Sequence, residues 1–226
     1  MAYYHDAPDE FEANIKYFPL LFGENENLRD IVYTRMVNIS IESVNEENKD
    51  RVKKYFETDQ YPSLLRFYKS NSIKVLAHGD FRKGNLMHKR NKDGNLEMIT
   101  LDFQMMCCGN PLSDLMYFIY TGTDAQFRKL HLRDLVEYYY TELSSALRRL
   151  RVDIDDVYPR DKFEADLEAT AMFGLFIGMV YLSGMTAASE NISDLSDGIN
   201  LEEYTVKPSG LFAPRLNDII DEYVSK

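Results

Sequence analysis

The sequence contains no tryptophan and only two cysteines, Cys107 and Cys108, which are adjacent. Neighbouring cysteines rarely form a disulfide with each other, and two thiols without a nearby histidine do not make a zinc site. We therefore expect two reduced thiols in a cytoplasmic protein. The first residues also lack a basic start followed by an apolar run, so no signal peptide is expected.

Long apolar runs and clusters of positive charge are scarce as well. The strongly apolar part of the longest charge-free stretch, 171–185, has 15 residues, whereas a membrane-spanning helix needs about 20. A buried helix, whose glycines let a neighbour approach, is the better interpretation of this stretch. The net charge of −11 argues against nucleic acid and anionic membranes as partners, because their phosphates must be neutralised by clustered lysine and arginine.

The hydrophobic pattern predicts a mostly helical α+β domain with one small β-element. The Asp93-Gly94 dipeptide predicts a hairpin turn between strands at 86–88 and 98–101, after a first short strand at 73–78. A helix and a connection are expected at 24–44, helices at 46–58, 61–68, 113–120, 124–150, 161–186 and 214–224, and a loop at 189–208.

The long helix at 124–150 is predicted to have one apolar face, because apolar residues recur every three to five positions along it. These residues are Phe127, Leu130, Leu135, Tyr139, Leu143, Leu147 and Leu150. Thr123 or Asp124 is the expected cap of this helix. We expect a single domain over 1–226, which consists of leading helices at 1–72, a catalytic loop with a metal-binding hairpin at 73–104, and a helical subdomain at 105–226.

The chemistry is concentrated in the segment His78–Asn85 and in Asp102, 22 residues after Asp80. Phosphoryl transfer to a hydroxyl needs a carboxylate that orients the hydroxyl and takes its proton, and oxygen ligands that hold magnesium against the phosphates. A kinase-type loop supplies them as Asp, then Asn five residues later, then Asp at the end of the next hairpin. Asp80, Asn85 and Asp102 follow this order and spacing.

Each of these residues also has a simpler explanation. An aspartate after glycine, such as Asp80, is most often a turn residue, and Asn85 alone would more often stabilise a loop. Asp102 at the end of an apolar strand is often a cap. The combination of all three around a predicted hairpin favours the kinase-like arrangement.

The stretches Leu76–Asp80, Asn85–Met87, Ile99–Gln104 and Pro111–Leu115 resemble the ecdysteroid kinase-like family, within the wider aminoglycoside and choline phosphotransferase group. The resemblance is strong over 74–150 and weak elsewhere. It implies the C-terminal lobe of a protein-kinase-like fold. It also implies an enzyme that uses ATP and Mg²⁺ to phosphorylate a hydroxyl of a small lipophilic molecule, such as an ecdysteroid or a foreign alcohol.

The resemblance also implies roles for individual residues. Asp80 would be the catalytic base, and Asn85 and Asp102 would be magnesium ligands. His78 and Asp114 would brace the catalytic loop through hydrogen bonds.

The chain departs from the family pattern in three places. Arg82 stands where the family often has an aromatic residue, and Gly84 stands where it often has a second asparagine. Arg82 is a candidate phosphate contact, because guanidinium pairs well with phosphate oxygens, and equally a solvent-facing loop residue. The residues before His78 contain no glycine-rich phosphate loop and no nucleotide-contacting lysine strand, so the N-terminal lobe is expected to be absent.

The acceptor is expected to be a small molecule rather than a protein. About ten residues separate Gln104 from Asp114, too few for the activation segment and peptide platform of a protein kinase. Because the N-terminal lobe is expected to be missing, the alternative function is a non-catalytic small-molecule-binding module or truncated pseudokinase. A metal-dependent hydrolase is disfavoured, since the sequence lacks the further histidine or carboxylate ligands of such sites.

Overall fold

The computed structural model describes residues 1–18, 26–58, 73–187 and 206–224. The helix predicted at 61–68 and most of the loop predicted at 189–208 lie outside the described residues. The described part is a mostly helical α+β structure with two small antiparallel sheets.

The helices of the described residues are α1 (Ala2–Asp6), α2 (Pro8–Ile15), α3 (Glu26–Glu42), α4 (Glu46–Thr58), α5 (Ser113–Gly122), α6 (Ala125–Arg149), α7 (Ile154–Val157), α8 (Arg160–Val180), α9 (Leu182–Thr186) and α10 (Phe212–Val224). The strands are β1 (Val75–Ala77), β2 (Leu86–Arg90), β3 (Leu96–Thr100) and β4 (Cys107–Gly109). The predicted helices at 46–58, 113–120, 124–150 and 214–224 are therefore confirmed, with small changes in their ends.

Strands β2 and β3 form the predicted hairpin, with Leu86 opposite Thr100 and Arg90 opposite Leu96. Gly94 has a φ of 83°, which glycine adopts without steric cost, so the predicted turn is confirmed. The second sheet, in which β1 pairs with β4, was not predicted. It places the residues that follow β1 beside the start of α5.

Helix α8 lies at the centre of the core and packs against α3, α5 and α10. Gly174 of α8 faces the ring of Tyr120, and an added β-carbon there would lie only 2.6 Å from the ring. The prediction that glycines let a neighbour approach this buried helix is confirmed at this position. The helix predicted at 161–186 is interrupted at Tyr181, where α8 ends and the short α9 follows. Among the described helices, none combines the length and apolar content needed to cross a bilayer.

The predicted apolar face of α6 is wrong at both ends. Phe127, Leu130 and Leu150 are exposed. The buried position in the first turn belongs instead to Arg128, which forms a bidentate ion pair with Glu222 of α10.

The middle and the cap of α6 follow the prediction. Tyr139, Leu143 and Leu147 pack against or within the core. Asp124 caps the helix by accepting a hydrogen bond of 2.8 Å from the backbone N–H of Phe127.

Candidate active site

The loop between β1 and β2 is held to α5 through a carboxylate. Asp114, in the first turn of α5, accepts hydrogen bonds from the backbone N–H groups of His78 (2.7 Å) and Gly79 (3.0 Å). Burial raises the pKa of Asp114, and the two backbone hydrogen bonds oppose this rise only in part. The two bonds fix the loop at the point where it leaves β1.

The imidazole of His78 connects this loop to the end of the hairpin. Its Nε2 lies 2.9 Å from the carbonyl oxygen of Leu101, and its Nδ1 lies 3.3 Å from the backbone nitrogen of Asp80. A carbonyl can only accept and a backbone N–H can only donate, so these partners select the neutral tautomer protonated at Nε2. The ring also packs against Phe103 and Phe81, with centroid separations of 5.0 and 5.7 Å.

The carboxylate of Asp80 is surrounded by hydrogen-bond donors. Its Oδ1 accepts from the hydroxyl of Tyr117 at 2.9 Å and from Nε of Arg82 at 3.2 Å. Its Oδ2 accepts from the same Nε at 3.0 Å and from Nδ2 of Asn85 at 2.7 Å. The structure therefore brings three of the predicted site residues, Asp80, Arg82 and Asn85, into direct contact.

The amide of Asn85 has a defined orientation. Besides the Asp80 carboxylate, its Nδ2 donates to the carbonyl oxygen of Asp80 at 2.8 Å. Two acceptors on this side require the nitrogen to face Asp80, so the amide oxygen faces away from it. Within the described residues this oxygen receives no hydrogen bond, which leaves it available as a ligand for a hard cation.

Asp102 lies at the end of the hairpin in a left-handed conformation, with φ 65° and ψ 66°. Aspartate tolerates this region better than most residues, yet it is uncommon, and such backbones are concentrated at functional sites. The preceding residue, Leu101, is bonded through its carbonyl to His78 and through its N–H to the carbonyl of Asn85. The side chain of Asp102 is exposed and makes no hydrogen bond within the described part of the chain.

This arrangement fits a magnesium ion that is bound largely through a substrate. The described residues include no group of three or more His, Cys, Asp or Glu side chains that could hold a metal. Magnesium commonly takes one or two protein ligands, several waters and the phosphates of its nucleotide. The amide oxygen of Asn85 and the carboxylate of Asp102 are ligands of this type.

Sequence reasoning missed Tyr117. It lies three residues after Asp114 on α5, so the two side chains share one face of the helix. A face that carries Asp114 toward the loop also carries the Tyr117 hydroxyl there. The spacing of Asp114 and Tyr117 in the sequence could have indicated this contact, but only if the orientation of α5 against the loop had been known.

Two glycines make close approaches possible. Gly79 has a φ of 81°, and an added β-carbon would lie 2.0 Å from the carbonyl oxygen of Met105. An added β-carbon at Gly84 would lie 2.5 Å from Nη1 of Arg82. The two residues at which the motif departs from the family pattern, Arg82 and Gly84, are therefore neighbours in space.

Comparison with protein families gives a match that covers more than half of the chain. The profile of the ecdysteroid kinase-like family matches residues 1–152. The chain belongs to the ecdysteroid kinase-like family. The match includes the leading helices as well as the motifs at 74–150, and membership implies a kinase-like phosphotransferase. No curated protein and no solved structure matches this ecdysteroid kinase-like chain.

Proposed function

We propose that this ecdysteroid kinase-like chain carries the phosphoryl-transfer centre of an enzyme that uses ATP and Mg²⁺ to phosphorylate a hydroxyl of a small lipophilic molecule. The observation that supports it most is the hydrogen-bonded cluster of Asp80 and Asn85, joined through Leu101 to Asp102. We assign 73–104 as the catalytic loop and hairpin of a kinase-like C-terminal lobe, and 105–226 as its helical subdomain.

In this proposal Asp80 is the catalytic base. Tyr117 and Asn85 hold its carboxylate from two sides, and both of these side chains are buried. A fixed carboxylate orients the acceptor hydroxyl toward the transferring phosphoryl group and takes its proton. Asp114 and His78 act on this chemistry indirectly, because they fix the backbone of the loop that carries Asp80.

The magnesium site in this proposal consists of the amide oxygen of Asn85 and the carboxylate of Asp102. When bound, Mg²⁺ neutralises charge on the phosphates of ATP. The chain's contribution is orientation, since the two Nδ2 hydrogen bonds of Asn85 determine where its oxygen points. The hydrogen bonds of Leu101 fix the backbone from which the Asp102 side chain extends.

The hairpin between Asn85 and Asp102 carries exposed apolar side chains. Met87 and Ile99 are opposite each other in the hairpin and therefore share one of its faces. They are 61% and 66% exposed. Leu96 and Met98 are similarly exposed on the opposite face, so the hairpin offers apolar contact to a lipophilic ligand on both of its faces.

The proposal is tested by incubating the protein with ATP, Mg²⁺ and a panel of sterols and other lipophilic alcohols. Wild-type protein should phosphorylate at least one of them, and Asp80→Asn should abolish turnover. Asp93→Asn, the same change in the exposed hairpin turn, is the matched control and should keep full activity. Wild-type turnover no greater than that of Asp80→Asn would refute the proposal.

A second candidate function is a binding module that holds its ligand without transferring phosphate. It is favoured by the surroundings of Asp80, whose carboxylate already accepts hydrogen bonds from three side chains of the protein, Tyr117, Arg82 and Asn85. Isothermal titration calorimetry separates the two candidates. Binding of a lipophilic alcohol without any binding of magnesium-ATP would favour the binding module.

A further inference from the structure

Three side-chain donors contact the Asp80 carboxylate. Two carboxylate oxygens offer about four lone-pair sites. Tyr117 and Asn85 donate one hydrogen each, and the single Nε–H of Arg82 is shared between both oxygens. The guanidinium of Arg82 therefore lies against both oxygens, and an acceptor hydroxyl that approaches from this side reaches Asp80 only after Arg82 has moved.

Arg82 is the donor that can leave. The side chains of Tyr117 and Asn85 belong to residues that are only 4% and 5% exposed, so moving either would disrupt buried packing. The side chain of Arg82 is 39% exposed and its contacts with Asp80, at 3.0 and 3.2 Å, are the two longest of the four. A partly exposed ion pair of this kind contributes little free energy, because solvent screens it.

Gly84 makes room for the position that Arg82 occupies. A β-carbon at this residue would come within 2.5 Å of Nη1 of Arg82. Unlike Gly79 and Gly94, Gly84 does not have a positive φ, so alanine can adopt its backbone conformation. The change Gly84→Ala therefore displaces the guanidinium while leaving Asp80 and its other donors in place.

We propose that Arg82 covers Asp80 until a phosphate anion draws the guanidinium away. Guanidinium binds phosphate oxygens through two parallel hydrogen bonds, and a polyphosphate carries more charge than one carboxylate. The nucleotide would thus expose the base to the acceptor, so productive binding is ordered with the phosphate donor first. This inference rests on the proposed function, because it takes Asp80 as the group that meets the acceptor.

Calorimetry with magnesium tripolyphosphate tests the inference on the whole chain. Gly84→Ala should bind the anion about two- to five-fold more tightly, because the contact between Arg82 and Asp80 no longer has to be broken. Arg82→Gln should bind it about tenfold more weakly, because a charge-assisted contact to phosphate is lost. The matched controls are Gly122→Ala, where an added β-carbon meets no atom within 4 Å, and Arg90→Gln on the hairpin; neither should change the affinity.

Opposite effects of the two variants support the inference. Effects in the same direction, effects no larger than those of the controls, or no binding of tripolyphosphate by wild-type protein would overturn it. A measurement on wild-type protein complements these affinities, and it needs Arg82→Gln only to assign one resonance. The side-chain Nε–H resonance of Arg82, assigned by its loss in Arg82→Gln, should shift when magnesium tripolyphosphate is added. An unchanged resonance at saturating anion would also overturn the inference.

These outcomes are separate from those of the turnover assay. Opposite effects on anion affinity without any phosphorylation would support the role of Arg82 and count against the kinase function. Phosphorylation by a protein in which Gly84→Ala and Gly122→Ala behave alike would support the kinase function and overturn the role of Arg82.

Discussion

Substitution of Gly79 by alanine should destabilise the protein strongly, through a defined steric conflict in the catalytic loop. The added β-carbon would lie 2.0 Å from the carbonyl oxygen of Met105, whereas an ordinary carbon–oxygen contact is about 3.3 Å. The conflicting atom belongs to the backbone, so the loop or the segment at Met105 must move by about 1 Å or more. Such a movement also disturbs the hydrogen bond from the Gly79 N–H to Asp114.

The expected cost combines two contributions. A non-glycine residue at a φ of 81° costs about 1–2 kcal/mol. A weakened hydrogen bond to the half-buried Asp114 carboxylate adds about 1.5–3 kcal/mol. The expected loss is therefore about 2.5–5 kcal/mol, a large part of the roughly 5–15 kcal/mol by which a domain is stable.

Gly94 provides a matched control. Its φ of 83° is nearly identical, but an added β-carbon there meets no atom within 4 Å. Gly94→Ala should therefore lose only the backbone contribution, about 1–2 kcal/mol. Urea unfolding followed by circular dichroism and tyrosine fluorescence measures both variants. Equal losses for Gly79→Ala and Gly94→Ala would refute the packing that we describe around the loop.

Three further predictions concern single side chains. Tyr117→Phe should lower turnover about tenfold with little change in the KM for the acceptor, because Asp80 loses one positioning hydrogen bond; an unchanged kcat, or an equal loss in the exposed control Tyr138→Phe, would contradict this role. Arg128→Met should cost about 2–4 kcal/mol in urea unfolding, because it leaves Glu222 without its partner, and Arg133→Met in the exposed network of α6 should cost less. Burial raises the pKa of Cys107 to about 12, so about one in ten thousand of its thiols is ionised at pH 8. Iodoacetamide should therefore label Cys107 only after unfolding. Labelling of Cys107 in the native protein at the rate of the unfolded protein would contradict its burial.

The sequence was sufficient for the elements whose signals are local. The hairpin followed from Asp93-Gly94 between two apolar runs, and α6 followed from its periodicity and its Asp124 cap. The motif formed by Asp80, Asn85 and Asp102 could also be recognised from the sequence, because a catalytic loop and the hairpin that follows it are contiguous.

Features that depend on tertiary contacts could not be predicted from the sequence. Strand β4 has only three residues and pairs with β1 across the whole loop and hairpin, so no local pattern marks it. The apolar spacing of α6 is compatible with more than one face, and Arg128, paired with Glu222, takes the buried position that Phe127 was expected to fill. The contact of Tyr117 with Asp80 likewise depends on how α5 is oriented against the loop.

The central claim is that Asn85 and Asp102 hold a divalent cation with a triphosphate beside Asp80. Paramagnetic broadening by Mn²⁺ bound to ATP tests it directly, because the effect falls steeply with distance from the cation. The side-chain amide resonances of Asn85 should disappear on addition of Mn²⁺-ATP, those of Asn95 at the far end of the hairpin should remain, and Asp102→Ala should restore the Asn85 signals. Sharp Asn85 resonances at saturating Mn²⁺-ATP, or equal broadening of Asn85 and Asn95, would contradict the account.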